Sequence, residues 1–351
     1  KQRHGRPMLQ SRIRVALLLV WRQAPSVYSS EVIPWPGGGT CTNVWHSTCV
    51  STCQSQASGS VAESVVRSHT TSIHSSVLCD ADLATSHDGE SLYLFGMDGS
   101  IWQVTAFQEG MQGTMIYQSP AFEETAAGRP PRCRLAVNAE NIFISDTGMH
   151  QIMRLFLNTT TGGLIVSSQT IIFASSRLQP GYLDGTCKDS AFNYPTGMAT
   201  GTCRRDAFYT ATCVDPCPAV QECLYVADTQ NHAVRVIVYN PAISDIFASP
   251  NSCVVHTLNS VNLNFPQNVA VSPSNDFLYV ADYSTFRIKK VSLLDGKVTA
   301  LPGVDVWNLV APPVMPPVSL VYGFDIAVSK DGLWLYVADG FNSQVRKVSI
   351  Q

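Results

Sequence analysis

Residues 224–236 read Leu-Tyr-Val-Ala-Asp-Thr-Gln-Asn-His-Ala-Val-Arg-Val, and four related segments occur elsewhere in the chain. These segments begin at Leu92, Ile142, Leu278 and Leu335. In each copy, alternating aromatic and β-branched residues typical of a strand end at a polar turn, and a second such run follows. Two strands joined by a tight turn form a β-hairpin, so the sequence predicts five hairpins.

Short strand-like segments flank several of these hairpins. Residues 268–272 (Asn-Val-Ala-Val-Ser) precede one hairpin, and residues 297–301 (Lys-Val-Thr-Ala-Leu) follow it. Four antiparallel strands per repeat, at a period near fifty residues, are typical of a propeller blade. We therefore predict an all-β fold, a β-propeller of four-stranded antiparallel blades with five countable repeats, which allows five or six blades.

The repeats resemble those of the NHL-repeat family of β-propellers. The resemblance lies in the Tyr-Val-Ala-Asp core, in Asn231-His232, and in the basic residue of the next strand, such as Arg235. Residues 181–186 (Gly-Tyr-Leu-Asp-Gly-Thr) and 191–199 also match family phrases, and together the matches cover residues 78–350. The resemblance implies the fold and leaves the activity open, because propellers include lyases, hydrolases and plain binding modules.

The composition favours an extracellular protein. Hydrophobic residues make up 45% of the chain and charged residues only 14%, against about 25% in a typical soluble domain. The surface must then consist largely of uncharged polar groups, which suits a secreted glycoprotein. The net charge of −3 gives no reason to expect a nucleic-acid partner. The sequence contains no apolar run long enough to predict a membrane-spanning helix.

The chain contains eleven cysteines, scattered rather than paired as CxxC units. Disulfides in an oxidising compartment are therefore favoured over a zinc site, and the odd count leaves one thiol over. A Cys-rich insertion at residues 200–223 holds four of them, for which three pairings are open. We expect other cysteines to pair between neighbouring blades or with the N-terminal segment. The disulfide candidates are Cys41, Cys49, Cys53, Cys79, Cys133, Cys187, Cys203, Cys213, Cys217, Cys223 and Cys253.

The chain divides into three parts by composition. Residues 1–30 resemble a signal peptide, and the alternative is an N-terminal strand. Residues 31–76 form a Cys/Ser/Thr-rich arm, and residues 77–351 form the propeller. Because the chain stops after the third strand of the last repeat, we expect residues 61–73 to supply its outer strand and remove the open edge.

Recurrent polar residues favour structural roles over catalysis. Asp ends the first hairpin strand in four repeats, where its carboxylate can accept backbone N–H bonds of the turn. These predicted turn residues are Asp146, Asp228, Asp282 and Asp339. His150 and His232 share the fourth position after that Asp, but later copies have other residues there. No catalytic motif, cofactor fingerprint or metal-ligand set is present, so we predict no catalytic, cofactor or metal site.

The sequence thus predicts a secreted or cell-surface, non-catalytic binding or structural module. Asn158, in the sequon Asn-Thr-Thr, is the predicted glycosylation site. Expected partners are proteins, or further copies assembling through the loops and N-terminal arm into an extracellular assembly or filament. The alternative is a channel-centred, metal-dependent lyase or hydrolase. An intracellular scaffold is disfavoured by the cysteines.

Overall fold

The computed structural model describes residues 31–33, 82–86, 91–95, 100–105, 112–118, 133–158, 171–175, 179–203, 221–242, 249–258, 262–285, 287–301, 324–339 and 344–350. Within these ranges the regular structure is almost entirely β, and the strands form five antiparallel sheets. The sheets are the blades of a β-propeller, which confirms the predicted fold. Five blades are seen in this part of the chain.

The strands are numbered in chain order, and the first of them belongs to the last blade: β1 (Glu31–Ile33). Blades 1 and 2 contain β2 (Asp82–Thr85), β3 (Ser91–Phe95), β4 (Ser100–Thr105) and β5 (Gln112–Gln118), then β6 (Arg134–Val137), β7 (Asn141–Asp146), β8 (Gln151–Phe156) and β9 (Ile171–Ala174). Blade 3 contains β10 (Gly185–Thr186), β11 (Pro195–Thr202), β12 (Glu222–Asp228), β13 (Ala233–Tyr239) and β14 (Cys253–Thr257).

Blades 4 and 5 complete the described structure. Their strands are β15 (Pro266–Val271), β16 (Phe277–Asp282), β17 (Arg287–Ser292) and β18 (Val298–Ala300), then β19 (Phe324–Val328), β20 (Trp334–Asp339) and β21 (Gln344–Ser349). Three short 3₁₀ turns occur at Thr229–Asn231, Pro250–Ser252 and Tyr283–Thr285. No helix in the described ranges has the length and hydrophobicity of a membrane span.

The outer strand of blade 5 comes from the N-terminal side of the chain. Strand β1 pairs antiparallel with β21, and Val32 lies opposite Arg346. The expectation that residues 61–73 would occupy this position is therefore wrong, because the edge of β21 is already paired with the β-branched segment Glu31–Ile33. Residues 61–73 lie outside the described residues.

The hydrophobic core is divided into layers between neighbouring blades. On β12, Tyr225 and Ala227 belong to the layer shared with blade 4, whereas Leu224 and Val226 belong to the layer shared with blade 2. All four side chains are completely buried, because both faces of the blade are covered. A strand covered on both faces needs a continuous apolar run, which explains the Leu-Tyr-Val-Ala sequence.

Two disulfides lie in blade 3. Cys203 and Cys223 close the base of the Cys-rich insertion, between β11 and β12. Cys187, just after β10, pairs with Cys253 at the start of β14, so this bond lies within one blade and not between neighbours.

Cys133 is a buried free thiol and not a disulfide partner. It lies among apolar side chains in the layer between blades 1 and 2, and burial raises the pKa of its thiol well above the usual value. The other candidates lie outside the described residues: Cys41, Cys49, Cys53, Cys79, Cys213 and Cys217.

Candidate functional site

The innermost strand of every blade has the same short pattern, one variable residue followed by an apolar residue, Ala, and then Val or Thr. The register of each inner pair places this variable residue near the end of the propeller where the hairpin turns lie. Asn268, for example, is opposite Ala281, and Asp325 is opposite Ala338. By this equivalence the five variable residues are Asp82, Arg134, Gly197, Asn268 and Asp325.

Four of these side chains meet around the propeller axis, and we call Asp82, Arg134, Asn268 and Asp325 the axial cluster. Arg134 Nη1 lies 3.1 Å from Asp82 Oδ1 and 3.5 Å from Asp325 Oδ2. Asp82 Oδ2 also accepts the Leu135 N–H at 2.5 Å. The Asn268 amide donates to Asp325 Oδ1. A guanidinium and an amide therefore bind two carboxylates from the first and last blades.

The fifth axial position is a glycine because two inner strands approach each other too closely for a side chain. A Cβ atom on Gly197 would lie 2.5 Å from Asn268 Cα and 2.6 Å from the Gln267 carbonyl oxygen. Both are backbone atoms, which cannot move aside as a flexible side chain can. Gly197 thus lets blade 3 pack directly against blade 4 at the axis.

The axial cluster does not have the chemistry of a metal centre. Its carboxylates are already bound to a cation and to amide donors, and the Arg134 guanidinium would repel a metal ion placed between them. In the described ranges, no group of three or more His, Cys, Asp or Glu side chains could hold a metal ion. The Arg134 side chain is 25% exposed and that of Asp82 only 7%, so the cluster is partly shielded from solvent.

Each turn aspartate whose side chain is described accepts a backbone N–H, but only Asp146 accepts one from its own turn. The expectation that the carboxylate binds the N–H groups of its turn is wrong for Asp228 and Asp282, because the segment before the innermost strand of the blade supplies their N–H donors. Asp146 Oδ1 accepts the Met149 N–H at 3.2 Å, and burial raises the pKa of this carboxyl. Asp228 Oδ1 accepts the Asn193 N–H at 2.7 Å from the segment that leads into β11. Asp282 Oδ1 accepts the Asn264 N–H at 2.6 Å from the segment before β15, and Lys289 Nζ lies 2.7 Å from Asp282 Oδ2. The side chain of Asp339 lies outside the described set.

His150 and His232 connect neighbouring blades. His150 Nδ1 accepts the Tyr194 N–H at 3.1 Å, and His232 Nδ1 accepts the Phe265 N–H at 3.2 Å. In each case the histidine belongs to the turn of one blade, and its partner immediately precedes the innermost strand of the next, β11 or β15. We call the end of the propeller that carries residues 147–150 and 229–232 the turn face.

The turn face also carries exposed apolar side chains. Tyr182 is 56% exposed, Leu183 44%, Met149 41% and Tyr194 40%. Residues 181–183 lie beside the turn of blade 3, because the Asn231 side chain of that turn donates to the Gly181 carbonyl at 2.7 Å. The Tyr194 ring packs against His150 with centroids 4.9 Å apart, which orders this part of the surface.

The sequence interpretation identified several of the innermost strands but missed the axial cluster. The signal was the residue that precedes the apolar-Ala-Val/Thr pattern in every repeat, but its type changes from blade to blade, so no common chemistry marks it. Asn158 is exposed just after β8, and its glycosylation remains a prediction.

Fold and axial geometry together define the class of this protein, a disulfide-containing β-propeller whose axial carboxylates are bound by an arginine and an asparagine of the same chain. No protein-family model matches the chain. Over 186 residues it is 26% identical to the protein SUPPRESSOR OF QUENCHING 1, chloroplastic, of Arabidopsis thaliana, a match that covers 52% of this chain and 16% of that protein.

Among solved structures, a chain of the nidogen/laminin complex has a TM-score of 0.48 at 14% identity, covering 77% of this chain and 75% of that one. An auxiliary nutrient binding protein from Bacteroides thetaiotaomicron has a TM-score of 0.41 at 14% identity, covering 61% and 46%. Such distant similarities support no argument about function. Membership of the NHL-repeat family stays a prediction.

Proposed function

We propose that this propeller is a non-catalytic binding or structural module, secreted or held at the cell surface, that displays its turn face to a protein partner. The observation that carries the proposal is that the axial carboxylates already have partners within the chain. An axial reaction centre would need groups open to a substrate, whereas Arg134 and Asn268 occupy the carboxylates of Asp82 and Asp325. The axial cluster then serves to join the first and last blades to the rest.

The exposed side chains of the turn face support binding to a protein. Tyr and Met are enriched at the centres of protein interfaces, where aromatic anchors contribute much of the binding energy. The Tyr194 ring already packs against His150 with centroids 4.9 Å apart, so little side-chain freedom would be lost on binding. A rigid scaffold that presents preordered side chains is the usual design of a binding loop surface.

Two observations support an oxidising compartment. The Cys187–Cys253 and Cys203–Cys223 bonds would not persist in a reducing cytosol. Asn158 is exposed and belongs to a glycosylation sequon. The name of the Arabidopsis relative places that protein in the chloroplast, so the compartment needs a direct test.

Mass spectrometry of the native protein tests the compartment. We expect the masses before and after reduction to show at least these four cysteines oxidised, and we expect glycosidase treatment to remove mass from the wild type but not from Asn158→Gln. Free thiols and an absence of sugar would contradict an extracellular location and favour the intracellular scaffold.

Cross-linking of the purified protein to an extracellular fraction of its source tests the binding surface. We expect a captured partner to be lost with a Tyr182→Ser/Tyr194→Ser variant. The matched control is Leu294→Ser/Leu333→Ser, which changes exposed apolar residues at the opposite end and should retain the partner. Equal capture by both variants would show that the turn face is not the binding surface.

Self-assembly is a second form of the same function. Strand β1 pairs with β21 of its own chain, and the same pairing between chains would join propellers by strand addition. Light scattering of the wild type and of Val32→Pro distinguishes pairing of β1 within its own chain from exchange of β1 between chains. If chains exchange β1, the wild type forms oligomers that the proline variant lacks. If β1 stays within its chain, both are monomeric.

The alternative is a metal-dependent lyase or hydrolase centred on the channel, and the two axial carboxylates are the observation that favours it. Equilibrium dialysis with Zn²⁺ and Ca²⁺ tests this function. Stoichiometric binding that disappears in Asp82→Asn/Asp325→Asn would support the enzyme and contradict the binding module. We expect no such binding, because the Arg134 guanidinium lies beside both carboxylates and would repel a metal ion.

A further inference from the structure

The two seams that flank blade 3 are each held by a contact that depends on the protonation state of a histidine. We call the His150–Tyr194 and His232–Phe265 pairs the histidine clasps. In each, the imidazole Nδ1 accepts a backbone N–H from the next blade. The rings also pack edge to face, with centroid distances of 4.9 Å and 4.3 Å. The clasp therefore recurs with the same geometry at successive seams.

A threonine strengthens each clasp from the same turn. Thr147 Oγ1 donates to the Pro195 carbonyl at 2.7 Å, and Thr229 Oγ1 donates to the Pro266 carbonyl at 2.7 Å. These carbonyls belong to the residues that follow Tyr194 and Phe265. The turn of one blade thus forms hydrogen bonds with a backbone N–H and with the C=O of the next residue, at the start of the innermost strand of the following blade.

The clasps hold an unfavourable backbone conformation. All four of their residues have positive φ angles, 57° at His150, 54° at Tyr194, 53° at His232 and 55° at Phe265. Non-glycine residues seldom adopt this region, and the surrounding contacts must supply the free energy that keeps them there. Loss of the clasp would therefore allow Tyr194 and Phe265 to leave their present conformation.

Only a neutral imidazole can form this contact. It has one donor and one acceptor nitrogen, and because Nδ1 accepts, the proton is assigned to Nε2. Adding a proton to Nδ1 replaces the acceptor with a second N–H that faces the backbone N–H. We propose that the two histidine clasps are an acid-sensitive latch, in which protonation of His150 and His232 releases Tyr194 and Phe265 and loosens blade 3 from blades 2 and 4.

Two titratable residues that the structure describes near His150, Tyr194 and Asp146, already have other contacts. The Tyr194 phenol packs against it, and Asp146 of the same turn is engaged by the Met149 N–H and the Gln151 amide. Burial lowers the pKa of His150, so this clasp opens at a more acidic pH than an ordinary histidine would.

His232 is more exposed than His150, but the carboxylates near it also have partners already. Asp228, in the same turn, binds Arg235 and the Asn231 amide, and Asp282 from the next blade binds Lys289. His232 is exposed, so its protonated ring can turn into water once the bond to Phe265 is lost.

Hydrogen exchange of the full-length native protein, followed by NMR at about pH 7.5 and about pH 5, tests the latch. After correction for the intrinsic pH dependence, we expect protection of the Tyr194 and Phe265 amides to fall roughly fivefold or more at the lower pH, the loss of one net hydrogen bond. The Leu258 N–H, which donates to the Val234 carbonyl at 2.9 Å within blade 3, is the internal reference. Unchanged protection of both clasp amides would overturn the proposal.

A variant whose side chain accepts the backbone hydrogen bond but does not titrate separates the latch from a general loss of stability in acid. Asn tolerates positive φ, and its side-chain oxygen can replace Nδ1 as acceptor, so His150→Asn/His232→Asn should lose the pH response. His256→Asn, which lies on β14 outside the clasps, should keep it. If the double variant is as pH-sensitive as the wild type, the histidines are not the latch.

Imidazole ¹⁵N shifts of the wild type provide a measurement that needs no variant. We expect an unprotonated Nδ1 on both histidines at about pH 7.5. A proton on Nδ1 at that pH would overturn the assignment of the clasp.

Discussion

Arg235 Nη1 donates to Asp228 Oδ2 across 2.9 Å, and neither side chain has any exposed surface. The same guanidinium reaches outward, where its Nη2 lies 2.6 Å from Asp184 Oδ1. Its carbon lies 5.2 Å from the Tyr182 ring centroid and 5.0 Å from that of Phe192. One buried cation thus holds the residues on either side of β10 against the central hairpin of blade 3.

Removing this cation should be strongly destabilising. In Arg235→Met the Asp228 carboxylate stays buried without its countercharge, and we expect the free energy of unfolding to fall by about 3–5 kcal/mol. Urea denaturation followed by circular dichroism measures the change. Lys297→Met alters an exposed cation and should change stability by no more than about 0.5 kcal/mol. A loss below about 1 kcal/mol in Arg235→Met would contradict a structural ion pair.

The same pair predicts a pH dependence. Burial raises the pKa of Asp228 to about 6, although Arg235 and the hydrogen bonds from Asn193 and Asn231 lower it. The folded protein then keeps a proton on this group up to about pH 6, whereas the unfolded chain loses it near pH 4. The contribution of Asp228 to stability is therefore complete below about pH 4 and is lost as the pH rises through about 6.

Comparison with Asp228→Asn isolates this effect, because the amide does not titrate. We expect the difference in unfolding free energy, wild type minus variant, to decrease as the pH rises from about 4 to about 7. Urea denaturation of both proteins across this range provides the measurement. A difference that grows with pH would mean that Arg235 outweighs burial and that the pKa is lowered.

The close approach of blades 3 and 4 at the axis can be tested with one methyl group. Gly197→Ala places a Cβ against the backbone of Gln267 and Asn268, and we expect a loss of about 1–3 kcal/mol. Gly201→Ala is the matched control, because its nearest neighbour is the Asn275 side-chain oxygen at 2.6 Å, which can move. Thermal unfolding should show the larger decrease in Tm for Gly197→Ala. Equal decreases would mean that the inner strands separate easily.

The two disulfides should differ in their effect on stability. Cys187–Cys253 spans 66 residues and Cys203–Cys223 only 20. If each acts by restricting the unfolded chain, removal of the longer link costs about 1 kcal/mol more. Denaturation of the Cys187→Ser/Cys253→Ser and Cys203→Ser/Cys223→Ser variants measures this. The reverse order would show that native contacts around the bond matter more than loop length.

The hairpins could be predicted from the order of residues alone, because their causes are local. An apolar β-branched run, a polar turn and a second run favour the same backbone wherever they occur, as residues 224–236 illustrate. Repetition of this unit was enough to identify a propeller.

The axial cluster and the closure of blade 5 depended on contacts between distant parts of the chain. Asp82, Arg134 and Asp325 belong to three different blades, and each is an ordinary polar residue until the ring brings them together. Residues 31–33 and 61–73 are both compatible with an outer strand, and only the edge of β21 selects between them. Local preferences act over a few residues, whereas the pairing of strands and charges is chosen by which surfaces meet after folding.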